Sequence, residues 1–389
     1  MSRPPRILLG VTADMSLTLM RGFPEFLRDQ GWDVHVVSAP GPALSALGTV
    51  DGVTVHAIAM ARQPSPQQDL HSLVAWCRVL RRVRPDLISV GTPKAGLLGG
   101  IAGFLTRVPH RVYLLRGLRL ETSTGVQRRI FSVLERVAMG VAQDTVSVSR
   151  SLRQRVIDLG LVREGKIRVL GQGSSNGVNI AGFAQPSAAA SLHAPTAASL
   201  GIDPNVPVIG FVGRLTKDKG LSVLAEAREI LTGRGVDHQL LVVGGIDEGA
   251  SESALTNAGA AGRAAIQTGH VANVRPFYAH MDVLCLPTYR EGFPNVVLEA
   301  GAAGIPTVTT DATGAVDSVI DGQTGMTVAV GSAVQLAAAL ETLIRDASLR
   351  QTMGAEALRH VTENFNQPDV WRRIHAFYLD VVTHSRRSL

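Results

Sequence analysis

Two carboxylates, Glu291 and Glu299, lie eight residues apart in Glu291-Gly292-Phe293-Pro294-Asn295-Val296-Val297-Leu298-Glu299. The apolar run 283–287 before them reads as a strand. Residues 294–303 read as a helix, with Pro294 at its first position, Gly304 just past its end and Pro306 beyond. Glu291 then occupies the strand-to-helix loop, and Glu299 sits about five residues into the helix, roughly 7–8 Å along its axis. Carboxylates placed so can accept hydrogen bonds from two parts of one polyhydroxylated ligand. The N–H groups of the helix's first turn suit an anion. On spacing alone the alternative is a partly buried Glu299 paired with an Arg, and Glu291 as a surface-loop acid.

Permanent cations occur at comparable places. Arg214 follows a strand predicted over 206–212, and Lys219 opens a helix predicted over 221–231. Two cations at a sheet's mouth suit a diphosphate and the charge that builds on it as a leaving group. The alternative is a solvated Lys-Asp-Lys loop. In the first half of the chain, the loop from Gly10 to Ser16 follows the first strand, and its backbone amides could approach a phosphate. It lacks GxGxxG, so a dinucleotide fingerprint is absent. Lys94, Arg116 and Arg119 follow later strands and could receive an acceptor carrying phosphate. The alternative is salt bridging, to Glu121 or to the second half of the chain.

These turns need elements to hold them. Strands are expected at 6–11, 33–38, 86–90, 111–115 and 145–148, with helical patterns between them, one of them over 17–30. Residues 185–199 are rich in Ala, Ser and Pro and read as a linker. The alternation then restarts, with strands at 206–212, 239–243, 283–286 and 307–310. This is α/β: two tandem doubly wound, Rossmann-like domains with an interdomain cleft, ligands sitting at the carboxyl ends of the strands. The expected domains are 1–184, the linker 185–199, and 200–366. A helix at about 367–389 could pack back on the first domain.

Composition narrows the function. The 389 residues are 45% hydrophobic and 18% charged, enough for sizeable cores. Two cysteines in apolar runs exclude a disulfide framework or a Cys-based zinc site, and they suit the cytoplasm. The longest apolar run, 95–105, is too short to span a bilayer. The N-terminus lacks a signal-peptide cleavage site. Residues 1–180 carry 23 Lys and Arg against 12 Asp and Glu, a net +11, whereas residues 181–389 carry a net −5. A basic first half suits an anionic partner or a membrane surface; Arg-rich codon usage is the alternative. No basic run interleaved with aromatics points to nucleic acid. Residues 126–141, with Arg128, Arg129 and Arg136 among Ile130, Phe131, Leu134 and Val137, read either as a helix with one buried face or as one resting on anionic lipid.

The Glu-Gly-Phe-Pro run with its second Glu resembles the donor-site motif of the family-4 retaining glycosyltransferases of GT-B fold. Further segments keep that family's order. Phe211-Val212-Gly213-Arg214-Leu215 with Lys217-Asp218-Lys219-Gly220 is similar to its phosphate-contact segment. Asn176-Gly177-Val178-Asn179 resembles the segment closing the first domain, with Asn179 where Asp is usual. Thr313-Gly314-Ala315-Val316-Asp317 resembles a loop near the donor, with Asp317 where Glu is more common. The segments 92–99 and 116–122 look like those of bacterial members building capsule, O-antigen and lipid-linked oligosaccharides. Many members carry a His at the position of Arg116, and an Arg cannot serve as a general base there.

The resemblance implies a retaining glycosyltransferase that uses a nucleotide sugar, most simply a UDP-sugar, as co-substrate. An N-acetylhexosamine is one sugar that the resemblance implies. The acceptor expected is a hydroxyl on a polyprenyl-diphosphate-linked sugar, reached at the inner face of the cell membrane. Glu291, Arg214 and Lys219 would be catalytic: Glu291 orients the donor sugar, and Arg214 and Lys219 neutralise the diphosphate. Glu299 would hold the ribose, with Gly292, Phe293, Pro294, Asn295, Val271, Gly10 and Ser16 completing the donor site. The backbone at Val271, after His270, matches where the family holds the base. Lys94, Arg116, Arg119 and Glu121 would bind the acceptor. No Asp-x-Asp motif occurs, so no metal and no cofactor is expected. Competing readings are a glycosyltransferase with a soluble natural-product acceptor, an NDP-sugar epimerase or hydrolase of the same fold, a dinucleotide oxidoreductase, and a non-catalytic sugar-nucleotide-binding scaffold.

Overall fold

The computed structural model describes residues 3–61, 65–184, 194–246 and 263–386, with residues 184 and 384–386 described by backbone alone. The chain divides into two α/β units, Met1–Asn176 together with Pro368–Leu389, and Gly177–Gln367.

Unit 1 holds seven parallel strands: β1 (Arg6–Gly10), β2 (Asp33–Ser38), β3 (Val53–Ala57), β4 (Leu87–Gly91), β5 (His110–Leu115), β6 (Asp144–Ser147) and β7 (Ile167–Val169). Their order is β3-β2-β1-β4-β5-β6-β7. Helices cover both faces, so central strands such as Leu-Ile-Ser-Val-Gly of β4 are buried throughout and read as continuous apolar runs. The helix Pro66–Val83 lays a fully buried Trp76 on one face. On the other face the final helix, Gln367–Arg386, inserts Val370, Ile374, Phe377, Tyr378 and Val382 at helical spacing. Tyr378 Oη lies 2.6 Å from Ser89 Oγ, which anchors that helix on β4.

Unit 2 has six parallel strands: β8 (Val208–Val212), β9 (Gln239–Val243), β10 (Ile266–Gln267), β11 (Val283–Leu286), β12 (Thr307–Thr310) and β13 (Gly325–Val328), in the order β10-β9-β8-β11-β12-β13. One core cluster spans the unit, including Phe211, Leu224, Leu241, Leu284 and Leu340, each fully buried. Both units are therefore doubly wound, as the sequence alternation implies.

Details differ from expectation. The helix expected over 17–30 is two pieces, a 3-10 segment Asp14–Met20 and a helix Phe23–Asp29, because Gly22 adopts φ +81° and Pro24 follows near the new helix start. Residues 177–184, expected in the first domain, belong to unit 2. The Phe183 ring packs on Tyr278 at 5.9 Å, and Val178 exchanges backbone hydrogen bonds with Phe365 and Gln367. Residues 185–193 of the expected linker lie outside the described residues. Its end is structured, with Thr196 capping the short helix Ala197–Leu200. Pro294 is the N-cap, one residue before the helix Asn295–Ala302, and the left-handed Gly304 follows its end. The strands β3, β7 and β13 carry no clear sequence signal: β3 is a half-exposed edge, β7 has three residues, and β13 opens on a glycine.

Candidate functional site

In unit 2 the loops after β8, β11 and β12 converge. After β8 the chain makes a 3-10 turn, Lys217–Lys219, and enters the helix Leu221–Gly233 through Gly220. Gly220 has φ +70°, and a Cβ there would stand 1.9 Å from Pro287 O, so only glycine lets this turn seat against the β11 loop. Tyr289 N and Thr288 Oγ1 donate to Asp218 O at 2.8 and 3.0 Å, and Arg290 pairs with the Asp218 carboxylate. These contacts fix the register in which Lys219 forms an ion pair with Glu291. Both side chains are largely enclosed, at 20% and 13% exposure, a setting where an unpaired charge is costly. Glu291 N donates to Thr313 O at 2.9 Å, and Gly314 (φ +77°) crosses directly over the Gly292 carbonyl. Arg214 is exposed, one residue beyond Gly213 at the end of β8.

The second carboxylate is held by a group the sequence did not single out. Tyr278 Oη lies 2.9 Å from Glu299 Oε2 and 3.2 Å from Val296 O. Burial, and then the adjacent Glu299 charge, push the Tyr278 hydroxyl well above its usual pKa, so it stays a proton donor to the carboxylate. Asn295, the first helical residue, has a buried Oδ1 with no hydrogen-bond partner among the described residues. Phe293 is a core residue, its ring 5.2 Å from Phe365. Val271 packs its side chain against the unit 2 core, which leaves its backbone for contact. His270 is exposed beside Gly245. The structure thus unites Lys219, Glu291 and the Gly292–Asn295 turn on neighbouring loops. Tyr278 has no motif, and the Arg290–Asp218 clamp was not singled out, although Asp218 lies within the segment Lys217–Gly220 and Arg290 adjoins Glu291 in sequence.

In unit 1 the expected residues do not form one group. Gly10 is accounted for by packing, since a Cβ there would come within 2.6 Å of Trp76. Within its loop, Thr12 N donates to Thr92 Oγ1 (2.9 Å) and Ser16 N to Ala13 O (2.9 Å), so these two amides are engaged internally. Asp14 accepts from Ala43 N and Leu44 N and so caps the helix Pro42–Leu47, a role unmarked in the sequence. Arg116 reaches Leu19 O at 3.2 Å; burial lowers its pKa to about 10, leaving it charged at neutrality. Glu121 pairs with Arg155 at 3.3 Å. Lys94 pairs with Asp69 at 2.7 Å, and the Arg119 guanidinium stacks over Phe131 at 5.1 Å. Lys94 and Arg119 line the same cavity; Arg116 and Glu121 do not.

The helix Gly125–Val141 inverts the usual arrangement. Val126, Ile130, Val133 and Val137 form a stripe that is 72, 48, 54 and 38% exposed, while its buried residues are Glu135, Ala138 and Met139. Arg128, Arg129 and Arg136 are exposed on the same helix. The helix does have one buried face, but that face carries the carboxylate Glu135, and the apolar stripe lies outside it.

Comparisons with known proteins agree with this geometry. Residues 206–346 match the family model "Glycosyl transferases group 1", and residues 22–173 match "Glycosyl transferase 4-like domain". The chain is 37% identical over 372 residues to the capsular polysaccharide biosynthesis glycosyltransferase CapM of Staphylococcus aureus, covering 95% of both chains. It is 26% identical over 287 residues to the N,N'-diacetylbacillosaminyl-diphospho-undecaprenol alpha-1,3-N-acetylgalactosaminyltransferase of Campylobacter jejuni, covering 72% of this chain and 73% of that one. In fold it is similar to the Anabaena protein Alr3699/HepE, solved with UDP and glucose. That match has a TM-score of 0.78 and 22% identity, covering 97% of this chain and all of the other.

Proposed function

The chain belongs to the group 1 glycosyl transferases and is a two-domain GT-B glycosyltransferase of polysaccharide biosynthesis, and we propose that it moves a sugar from a UDP-sugar, with retention, to a hydroxyl of a polyprenyl-diphosphate-linked sugar. The observation that carries this reading is the enclosed Lys219–Glu291 pair at the strand ends of unit 2. A diphosphate arriving beside Lys219 replaces Glu291 as its anion and frees the Glu291 carboxylate to accept hydrogen bonds from the donor sugar. Arg214 adds a second cation, so charge developing on the leaving diphosphate meets fixed positive groups. Glu299, oriented by Tyr278, holds the ribose hydroxyls. The leaving phosphate oxygen accepts the acceptor's proton, so this chain need supply no general base. The names of the similar proteins support a UDP donor and a lipid-linked acceptor.

We propose metal independence as well. Among the described residues no group of three or more His, Cys, Asp or Glu side chains is placed to hold a metal. Activity retained in excess chelator is the expected result; its loss refutes the claim. No helix among the described residues is long and apolar enough to cross a membrane. Peripheral contact at the inner membrane face is proposed through the exposed stripe and arginines of Gly125–Val141. Sedimentation with anionic but not neutral vesicles tests it.

The functional test is nucleoside diphosphate release from a panel of UDP-, GDP-, ADP- and dTDP-sugars, with and without lipid extract. Consumption of one UDP-sugar, accelerated by lipid, is expected. Equal consumption without lipid would point to a soluble acceptor or to hydrolysis.

A further inference from the structure

Unit 1 contains a cavity of about 240 Å³ between the helices Pro66–Val83, Pro93–Leu105 and Gly125–Val141. Its charged groups are Lys94, Asp69, Arg119 and Glu135. Leu97, Leu98, Ile130, Phe131 and Leu134 make its apolar wall. Ile130 belongs both to that wall and to the exposed stripe, at 48% exposure, so the cavity continues into an apolar surface. Two permanent cations beside an oily wall that opens on an oily surface are complementary to an anionic amphiphile, with its charge and its chain divided between the two.

We propose that this cavity takes the first carbons of a prenyl chain, with the attached phosphate at Lys94 and Arg119. The inference rests on the lipid-linked acceptor reading and says where the lipid enters. Charge bookkeeping agrees with the geometry. Glu135 accepts from Tyr113 Oη at 3.0 Å, and burial, partly offset by that hydrogen bond and by Arg119, raises its carboxyl to about 7. Below that pH, Lys94, Arg119, Asp69 and a neutral Glu135 sum to one positive charge; above it they sum to none. The groups that face Glu135 come from β5 (Tyr113), the turn Arg119–Thr122 (Arg119), and the helices carrying Lys94 and Asp69. A second copy of this chain is a poor occupant, because it would bring Arg128, Arg129 and Arg136 against their own kind.

The test is calorimetric titration of the full chain with inorganic diphosphate, farnesol and farnesyl diphosphate, the prenyl ligands kept below their micelle threshold. A buried methylene is worth roughly a fourfold gain in affinity. Farnesyl diphosphate should therefore bind at least about tenfold tighter than diphosphate. Leu97→Trp, which fills the cavity, should erase that margin and leave UDP affinity unchanged. Should Leu97→Trp lose UDP binding through misfolding, Ile130→Trp at the exposed wall decides instead. Val133→Ser, on the stripe but outside the cavity, should keep the margin. Three results overturn the proposal: no margin in the wild type, a margin intact in the cavity-filling variants, or a margin lost in Val133→Ser. Failure of the donor reading is separate, since it would show as absent UDP binding with the prenyl margin intact.

Discussion

The two units share a winding but assemble their polar groups differently. In unit 2, Lys219, Glu291 and the Gly292–Asn295 turn come from short strand-to-helix connections whose loops are hydrogen-bonded to one another. In unit 1, Asp69, Lys94, Arg119 and Glu135 come from three helices and a 3-10 turn. Lys219, Glu291 and Asn295 each adjoin a glycine or proline, Gly220, Gly292 and Pro294, that marks the turn. The unit-1 residues are brought together only when helices pack. A site built from one kind of turn can be recognised by spacing, and a site built from packed helices cannot. It follows that damage in unit 2 should strike turnover, whereas damage in unit 1 should strike stability and ligand preference.

The largest effect that would sharpen this contrast is at the ion pair. Lys219→Ala and Glu291→Gln should each lower turnover by about 10²–10³-fold, the usual cost of removing one preorganised group that meets developing charge. Steady-state kinetics with saturating UDP-sugar measures it. Near wild-type turnover for Lys219→Ala would break the phosphate assignment and, with it, the claim that unit 2 holds the chemistry.

The next effect belongs to unit 1 and concerns stability. Glu135 is 5% exposed, and its carboxyl is held near 7 instead of 4.5. The unfolded chain releases this proton near pH 4.5, while the folded chain keeps it until about 7. The folded state therefore binds the extra proton between those values, and stability falls as pH rises through that window, by up to about 3 kcal/mol. Glu135→Gln keeps an acceptor for Tyr113 and removes the charge. It should be more stable than wild type by about 2 kcal/mol at pH 8 and no different at pH 4, read from urea unfolding. A variant less stable than wild type at pH 8 would mean that the carboxylate is ionised and paired with Arg119.

Legibility follows the same division. The parallel strands β1, β4 and β8 were readable because burial on both faces makes them near-continuous apolar runs, and β2 was readable through its three fully buried valines, Val34, Val36 and Val37. The edge strands β3 and β13 were not, because β3 is partly open to solvent and β13 is four residues that open on a glycine. Lys219 and Glu291 were readable through Gly220, Gly292 and Pro294, residues whose backbone preferences mark the turns that carry them. Tyr278 was not, since nothing near Arg275–Tyr278 announces that its hydroxyl will meet Glu299 across a strand and a loop. The expected role of the Gly10–Ser16 loop weakened because a buried Trp76 gives Gly10 another reason to be glycine. Nor did the helix Gly125–Val141 reveal from its pattern which face was covered, because both faces carry apolar residues.

A smaller effect separates binding from chemistry inside unit 2. Glu299→Gln leaves the Lys219–Glu291 pair untouched, so it should raise KM for the UDP-sugar about tenfold, roughly 1.4 kcal/mol, with kcat within about threefold of wild type. Tyr278→Phe removes the hydroxyl that orients Glu299 and also reaches Val296 O. It should move KM in the same direction by less, about three- to fivefold, in line with one neutral-to-charged hydrogen bond in a partly wet site. The double variant then decides whether the tyrosine acts through the carboxylate. If it does, Tyr278→Phe adds nothing to Glu299→Gln, and the cycle shows full coupling. If the two losses multiply, Tyr278 contacts the nucleotide itself, and one group in unit 2 will have been recruited across packed elements, as every group in the unit 1 cavity is.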